Sequence, residues 1–113
     1  MIEYQDLLFA NYSKEFDCYR LVIECVRRDG KVLKNFHDVE KADKKDLQKY
    51  VERANVREIE KPKQGAIVQT DYKGELHLGY LLDEEKVLHI VQTGARVTPV
   101  QAFRNTKYFE VIK

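Results

Sequence analysis

The residues of this chain that could carry chemistry are two cysteines, both in the stretch "EFDCYRLVIEC", and three histidines. Cys18 and Cys25 are seven positions apart, which in a helix corresponds to a rise of about 10.5 Å. A disulfide requires its two Cα atoms to lie about 4.4–6.8 Å apart. We therefore predict that both thiols are free. Each could be a metal ligand, a nucleophile or a buried core residue.

Two of the histidines lie in "ELHLGYLLDEEKVLHIVQT", which has the pattern of a β-hairpin. If the hairpin folds about Asp83, residues whose numbers add to 166 stand opposite each other, and His77 and His89 form such a pair. The Cβ atoms of opposed residues are about 4.5–5.5 Å apart, so the two imidazoles would touch. A slip of one residue would put the rings on opposite faces, so this prediction depends on register.

The element that positions the first cysteine is an amphipathic helix. Apolar residues recur at helical spacing from position 18 to position 26, with Asp17 as the N-cap and Gly30 as the C-terminal stop. Cys18 then lies in the first turn, where the helix dipole and the free N–H groups favour the thiolate. Cys25 lies in mid-helix on the same apolar face, and we assign it to the core.

The rest of the chain predicts an α+β fold with N-terminal helices packed on a C-terminal antiparallel β-meander. Residues 3–10 and 39–56 have helical patterns, and residues 31–38 are expected to be extended. The predicted strands are "AIVQTDY", "ELHLGYLL", "KVLHIVQT", "ARVTPV" and "KYFEVI". A length of 113 residues is enough for one core, so residues 1–113 are predicted to form a single domain.

Composition narrows the set of partners and locations. The formal net charge is +1, and the lysine-rich run of residues 40–63 is mixed in sign, so we expect a solvated helix face and no nucleic-acid surface. No apolar run approaches the roughly 20 residues of a membrane helix. The N-terminus has no basic leader, so we expect no signal peptide. The protein is expected to be cytoplasmic when made, with export only by another route, such as within an assembled particle.

A thiol at a helix start and two facing imidazoles match the general plan of cysteine catalysis: a nucleophile, a base and a group that orients the base. A single buried cysteine is more often a small hydrophobic residue, and a single strand histidine is more often structural. Two histidines that face each other bring no obvious packing benefit, which favours the catalytic interpretation. This plan needs no cofactor.

The order of "FDCYRLVIECVRRDGKVL", "PKQGAIVQT" and "HLGYLLDEEKVLHIV" resembles the NlpC-type family of papain-like cell-wall cysteine peptidases. That family shows an Asp-Cys-Ser-Gly helix start, a "GDLV" strand and a "HVGIYLGNGKFIH" hairpin. The interval of twelve between the two histidines of that hairpin is also the interval from His77 to His89. The resemblance runs from about Tyr12 to the terminal "YFEVI" and implies a papain-like fold.

The resemblance also implies roles for particular residues. Cys18 would be the nucleophile, His77 the general base and His89 the group that orients it. The implied substrate and oxyanion site lies beside the helix start and is formed by the Cys18 N–H together with Tyr12, Asp17 and Tyr19. The implied reaction is hydrolysis of an amide in peptidoglycan stem peptides, of the γ-D-glutamyl to diamino-acid type. The short chain also resembles the members of that family found in phage tails. We therefore expect tail proteins as further partners and delivery to the periplasm.

Departures from the family pattern leave two alternatives open. Tyr19 and Arg20 replace the Ser-Gly pair, Ala66 replaces the aspartate of "GDLV", and the glycine-rich loop before the cysteine is missing. All three changes are expected near the entry of the stem peptide. The first alternative is therefore a catalytically silent module that serves assembly or peptidoglycan binding. The second is a zinc site made of the predicted triad residues, completed by His37 or Asp38.

Overall fold

A computed structural model of the chain describes residues 1–13, 15–33, 55–72 and 74–112. It combines one α-helix, α1 (Cys18–Arg28), with a six-stranded antiparallel sheet. The strands are β1 (Val56–Ile59), β2 (Ile67–Tyr72), β3 (Glu75–Leu81), β4 (Lys86–Val91), β5 (Gly94–Pro99) and β6 (Arg104–Val111). Two 3₁₀ turns, Gln5–Phe9 and Val100–Ala102, complete the regular structure of the described residues. The predicted mixture of helix and antiparallel sheet is confirmed.

The strands are ordered β1-β6-β2-β3-β4-β5 across the sheet. Strands β2 to β5 follow one another as the meander that the sequence predicts. The last strand departs from it, because β6 returns across the sheet and pairs with both β2 and β1. β1 was not predicted, and its first residue, Val56, belongs to a strand where the sequence predicted the end of a helix. Asn55, which precedes it, is not helical either, and residues 39–54 of that predicted helix lie outside the described residues, as do residues 34–38.

Local signals explain why α1 begins and ends where it does. The Asp17 carboxylate accepts hydrogen bonds from the backbone N–H groups of Tyr19 and Arg20, both at 3.1 Å, as expected of an N-cap. At the other end Gly30 adopts a φ of +80°, and the Lys31 N–H reaches back to the Val26 carbonyl at 3.1 Å. Both predicted ends of the helix are therefore confirmed.

The two faces of the sheet support separate apolar clusters. The larger cluster lies between α1 and one face of the sheet, and its central residues are Leu21, Val22, Cys25, Ile67, Leu78, Tyr80, Leu88 and Ile90. The smaller cluster lies on the other face and consists of Ala66, Val68, Leu81 and Val87, covered by Ile59, Val100, Phe103 and Tyr108. Cys25 is fully buried and both cysteines are free, as predicted.

An ion-pair network fixes the N-terminal segment to the helix. Arg28 donates to both carboxylate oxygens of Asp6, at 2.7 and 2.8 Å, and to Glu24 at 2.9 Å. The predicted helix at residues 3–10 is thus a short 3₁₀ turn held against the last turn of α1. This contact sets the path of the chain toward Tyr12. Within the described ranges, no helix has the length and apolar character needed to cross a membrane.

Candidate active site

The site is centred on the place where β3 and β4 separate. Their ladder pairs Tyr80 with Leu88 and Leu81 with Val87. Toward Glu75, β3 remains paired with β2, and toward Val91, β4 remains paired with β5. α1 packs on both β3 and β4, and its first residues line the same groove as the separated parts of these two strands.

The two histidines meet, although the predicted register is wrong. Paired residues of β3 and β4 have numbers that add to 168, so His77 and His89 are diagonal neighbours and do not stand directly opposite. The reason lies in the turn, where the Asp83 carboxylate accepts the N–H groups of Glu85 and Lys86 at 2.8 and 2.9 Å. Asp83 therefore opens the turn and Glu84 is its centre. Diagonal neighbours are within reach of ring side chains, and His77 Nε2 lies 3.0 Å from His89 Nδ1.

A hydrogen-bonded chain continues from the histidine pair into β5. His89 Nε2 lies 2.8 Å from the hydroxyl oxygen of Thr98. His77 is thus bonded through Nε2 to His89, which in turn is bonded to Thr98, and the remaining nitrogen of His77 is Nδ1. If Nδ1 is to accept a proton, His77 Nε2–H must donate to His89, and His89 Nε2–H must donate to Thr98.

Aromatic rings enclose the two imidazoles. The Tyr72 ring lies 5.1 Å from the His77 ring, centroid to centroid, and Phe103 packs edge-on against His89 at the same distance. The histidine side chains are 8% and 2% exposed. Burial lowers the pKa of His77 to about 4. Burial, the neighbouring His77 and the Arg96 guanidinium lower the pKa of His89 to about 4. Both rings are therefore neutral at pH 7.

The Cys18 sulfur reaches the same strand as His77. The backbone N–H of Leu78, in the peptide group that directly follows His77, is near enough to the sulfur to favour its thiolate. By strand alternation His77 and His89 lie on the sheet face opposite α1, while Cys18 belongs to the cluster on the α1 side. The N–H groups of a strand lie in the plane of the sheet, so the sulfur meets β3 at its exposed edge. Cys18 and His77 therefore approach the opening between β3 and β4 from opposite faces of the sheet, and both line the groove there.

A groove of about 740 Å³ lies over this opening. Cys18 and His77 both line it, and so do three residues predicted for the substrate site, namely Tyr12, Asp17 and Tyr19. His89 lies behind His77 and does not line the groove. Five of the six predicted site residues thus line one concave surface, where Tyr12 is 43% exposed.

The expected activation of the thiol is wrong. The N–H groups of Leu78, Cys18 and Tyr19 favour the thiolate, but burial has the larger effect and raises the pKa of Cys18 to about 11. The Asp17 carboxylate also disfavours a second negative charge. The resting pair at pH 7 is therefore a thiol beside a neutral imidazole.

The helix start can still receive an anion. Asp17 takes the N–H groups of Tyr19 and Arg20, and the Leu21 N–H donates to the Asp17 carbonyl at 3.0 Å. The N–H of Cys18 acts on its own sulfur. An oxyanion that forms on a carbonyl attacked by this sulfur would meet the same N–H group. Asp17 thus contributes by capping the helix that presents Cys18.

Two further expectations are corrected. Ala66 is fully buried in the smaller cluster, away from the groove, so its difference from the family pattern does not alter the groove surface. Within the described ranges, no three His, Cys, Asp or Glu side chains form a group that could hold a metal ion, so Cys18, His77 and His89 are not brought together in the way that the zinc alternative expected. His37 and Asp38, proposed to complete such a site, lie outside the described residues.

Residues that were not predicted also shape the site. Thr98 could have been found from the "VQTG" turn, because the β4–β5 hairpin that it implies pairs Val91 with Gly94 and therefore Val87 with Thr98. The same register pairs His89 with Arg96, which lines the groove. Phe103 carries no comparable local signal, since it follows a 3₁₀ turn between β5 and β6.

Comparisons of the chain with protein-family models, with curated proteins and with solved structures found no match. The geometry of the groove and the residues that line it are therefore the basis for a proposed function.

Proposed function

We propose that this protein is a cysteine peptidase with a papain-like fold that hydrolyses an amide bond in peptidoglycan stem peptides. The proposed bond joins the γ-carboxyl of D-glutamate to a diamino acid. One observation carries the proposal: a cysteine at a capped helix start lines the same groove as a histidine whose Nε2 is bonded to a second histidine. The likeness of the hairpin spacing to NlpC-type peptidases supports the substrate class.

The proposed acylation step begins from the neutral pair. The proton of the Cys18 thiol moves to His77 Nδ1 while the sulfur forms a bond to the scissile carbonyl carbon. The carbon–nitrogen bond then breaks, and the imidazolium returns its proton to the leaving amine. The product is a thioester on Cys18. His89 accepts the His77 Nε2–H and so keeps Nδ1 directed toward the reacting atoms.

Deacylation follows the same route in reverse. A water molecule gives one proton to His77 and forms a bond to the thioester carbon, and the carbon–sulfur bond breaks. The sulfur leaves as it recovers the proton, so the free thiol and a free carboxyl group are restored. The Cys18 N–H would stabilise the oxyanion in both steps. Because the thiol and the imidazole are both neutral at rest, the negative charge that this N–H would stabilise is present only during the two steps.

The proposed location of the protein is a phage tail or the cell wall. The partners would be stem peptides and, in a particle, neighbouring tail proteins. Delivery to the periplasm would then depend on the particle.

A second candidate is a catalytically silent module with the same fold, used for assembly or for binding peptidoglycan. The observation that favours it is the thiol itself: Cys18 is 9% exposed, and burial raises its pKa to about 11. Such a group reacts slowly unless a base removes its proton during attack. Both candidate functions would use the groove to bind a ligand, but only the peptidase would cleave it.

The deciding experiment is incubation of the purified protein with stem peptides that contain the γ-D-glutamyl to diamino-acid bond, with products identified by mass. We expect cleavage at that bond and none with Cys18→Ala. Cys25→Ala is the matched control, because it removes the other thiol from the same helix and should keep activity. Binding of the peptides without cleavage would favour the silent module, and cleavage by Cys18→Ala would contradict the proposed nucleophile.

A further inference from the structure

Arg96 is a groove-lining cation that the proposed chemistry does not use. It lies on β5 directly opposite His89, so its side chain shares the histidine face of the sheet. The guanidinium donates to the Thr93 hydroxyl, which also lines the groove. Among the residues that the structure describes, Arg96 has no acidic partner. By contrast, Arg28 and Arg57, elsewhere in the fold, are each paired with a carboxylate.

The guanidinium charge is not balanced by the rings beside it. The positive charge of Arg96 opposes protonation of His89, which adds to the effect of burial, and both histidines are neutral at pH 7. An anion bound in the groove would therefore meet a positive charge that no described carboxylate neutralises. A planar guanidinium is also suited to hold a carboxylate through two parallel hydrogen bonds, and only one of its nitrogens is directed to Thr93.

We propose that Arg96 binds a free carboxylate of the substrate, next to the bond that is cut. The inference rests on the proposed function and specifies its substrate class. A γ-linked glutamyl residue leaves its α-carboxyl group free, close to the scissile amide. The groove then selects γ-D-glutamyl peptides with an α-carboxylate over those in which this group is an α-carboxamide.

The test compares two synthetic stem peptides that differ only in this group, carboxylate or carboxamide. Binding is measured by calorimetry in the full-length Cys18→Ala protein, which does not depend on turnover, and again after Arg96→Gln is added. We expect the Cys18→Ala protein to prefer the carboxylate peptide on the order of tenfold, the low end for a charge-assisted hydrogen bond in an open groove. Arg96→Gln should remove this preference. Arg57→Gln, the same change on the opposite edge strand, should leave it intact.

The outcomes separate this inference from the proposed function. A preference that survives Arg96→Gln, or equal binding of the two peptides before that change, overturns the role of Arg96 even if the protein with Cys18 cleaves both. A preference that depends on Arg96 supports the inference even if the protein with Cys18 cleaves neither, in which case only the hydrolytic function fails. Failure of both peptides to bind overturns the inference.

Discussion

The buried histidine pair makes the stability of the fold depend on pH in a defined window. The pKa of His77 and that of His89 fall from 6.5 to about 4 on folding, so the unfolded chain binds protons first as the pH decreases. The free energy of unfolding must therefore decrease as the pH falls through 6.5 and level off near 4. A shift of this size corresponds to about 3 kcal/mol for one ring, of which about 2.5 kcal/mol is lost by pH 4.5. Two rings could double the loss, against a total stability of about 5–15 kcal/mol.

Urea unfolding at pH 7.5 and at pH 4.5 measures this loss. His89→Gln is the informative variant, because the amide can still bond to His77 and to Thr98 but does not titrate. We expect it to lose less stability on acidification than the parent does. Glu24 contributes mainly below pH 4.5, because Arg27 and Arg28 lower its pKa from 4.5 to about 2 and its stabilisation is lost between those values; its contribution is also common to parent and variant. Equal unfolding free energies at the two pH values, or equal pH dependence of parent and variant, would refute the reasoning.

Three further outcomes are expected. Thr98→Val should reduce the kcat of the proposed hydrolysis about tenfold and change the imidazole nitrogen chemical shifts of His89, because the ring loses the acceptor that fixes its tautomer. Thr98→Ser should preserve both. The rate of Cys18 alkylation by iodoacetamide should rise with pH, with the midpoint of the rise near pH 11. A rate that is already constant below pH 8 would show that the thiolate is favoured after all. Gly79→Ala should cost about 1–3 kcal/mol in urea unfolding, because a Cβ there would lie 2.5 Å from Val87 Cγ1; an unchanged midpoint would mean that Val87 moves aside.

Where the chain carries a local signal, the sequence predicts the fold. Asp17 and Gly30 mark the ends of α1 because capping depends on a few adjacent residues. Alternation of apolar residues likewise marks the strands from β2 to β5. The return of β6 to pair with β2 and β1 has no such signal, since it depends on contacts between segments far apart in the chain. β1 was missed because its sequence, "VREI", is short and half charged.

The sequence predicted which residues form the candidate site better than it predicted their pKa values. Residue type and spacing were enough to select Cys18, His77 and His89. The pKa of the thiol was not predictable, because it reflects a balance between nearby N–H groups and burial, and burial depends on the packing of α1 against the sheet. Helix position alone predicted the wrong sign. The role of Thr98 required the register of a second hairpin.

The register error explains why the histidine contact is a robust feature of the hairpin. Side chains alternate between the faces of a strand, so a displacement of two residues keeps His77 and His89 on one face, whereas a displacement of one residue would separate them. The structure differs from the predicted register by two, and the rings still meet, now diagonally, at 3.0 Å. The diagonal arrangement also fits the separation of β3 from β4, because the two rings bridge strands that no longer pair. Cys18 and His77 both line the groove at this opening, so one local departure from regular pairing accounts for both halves of the site.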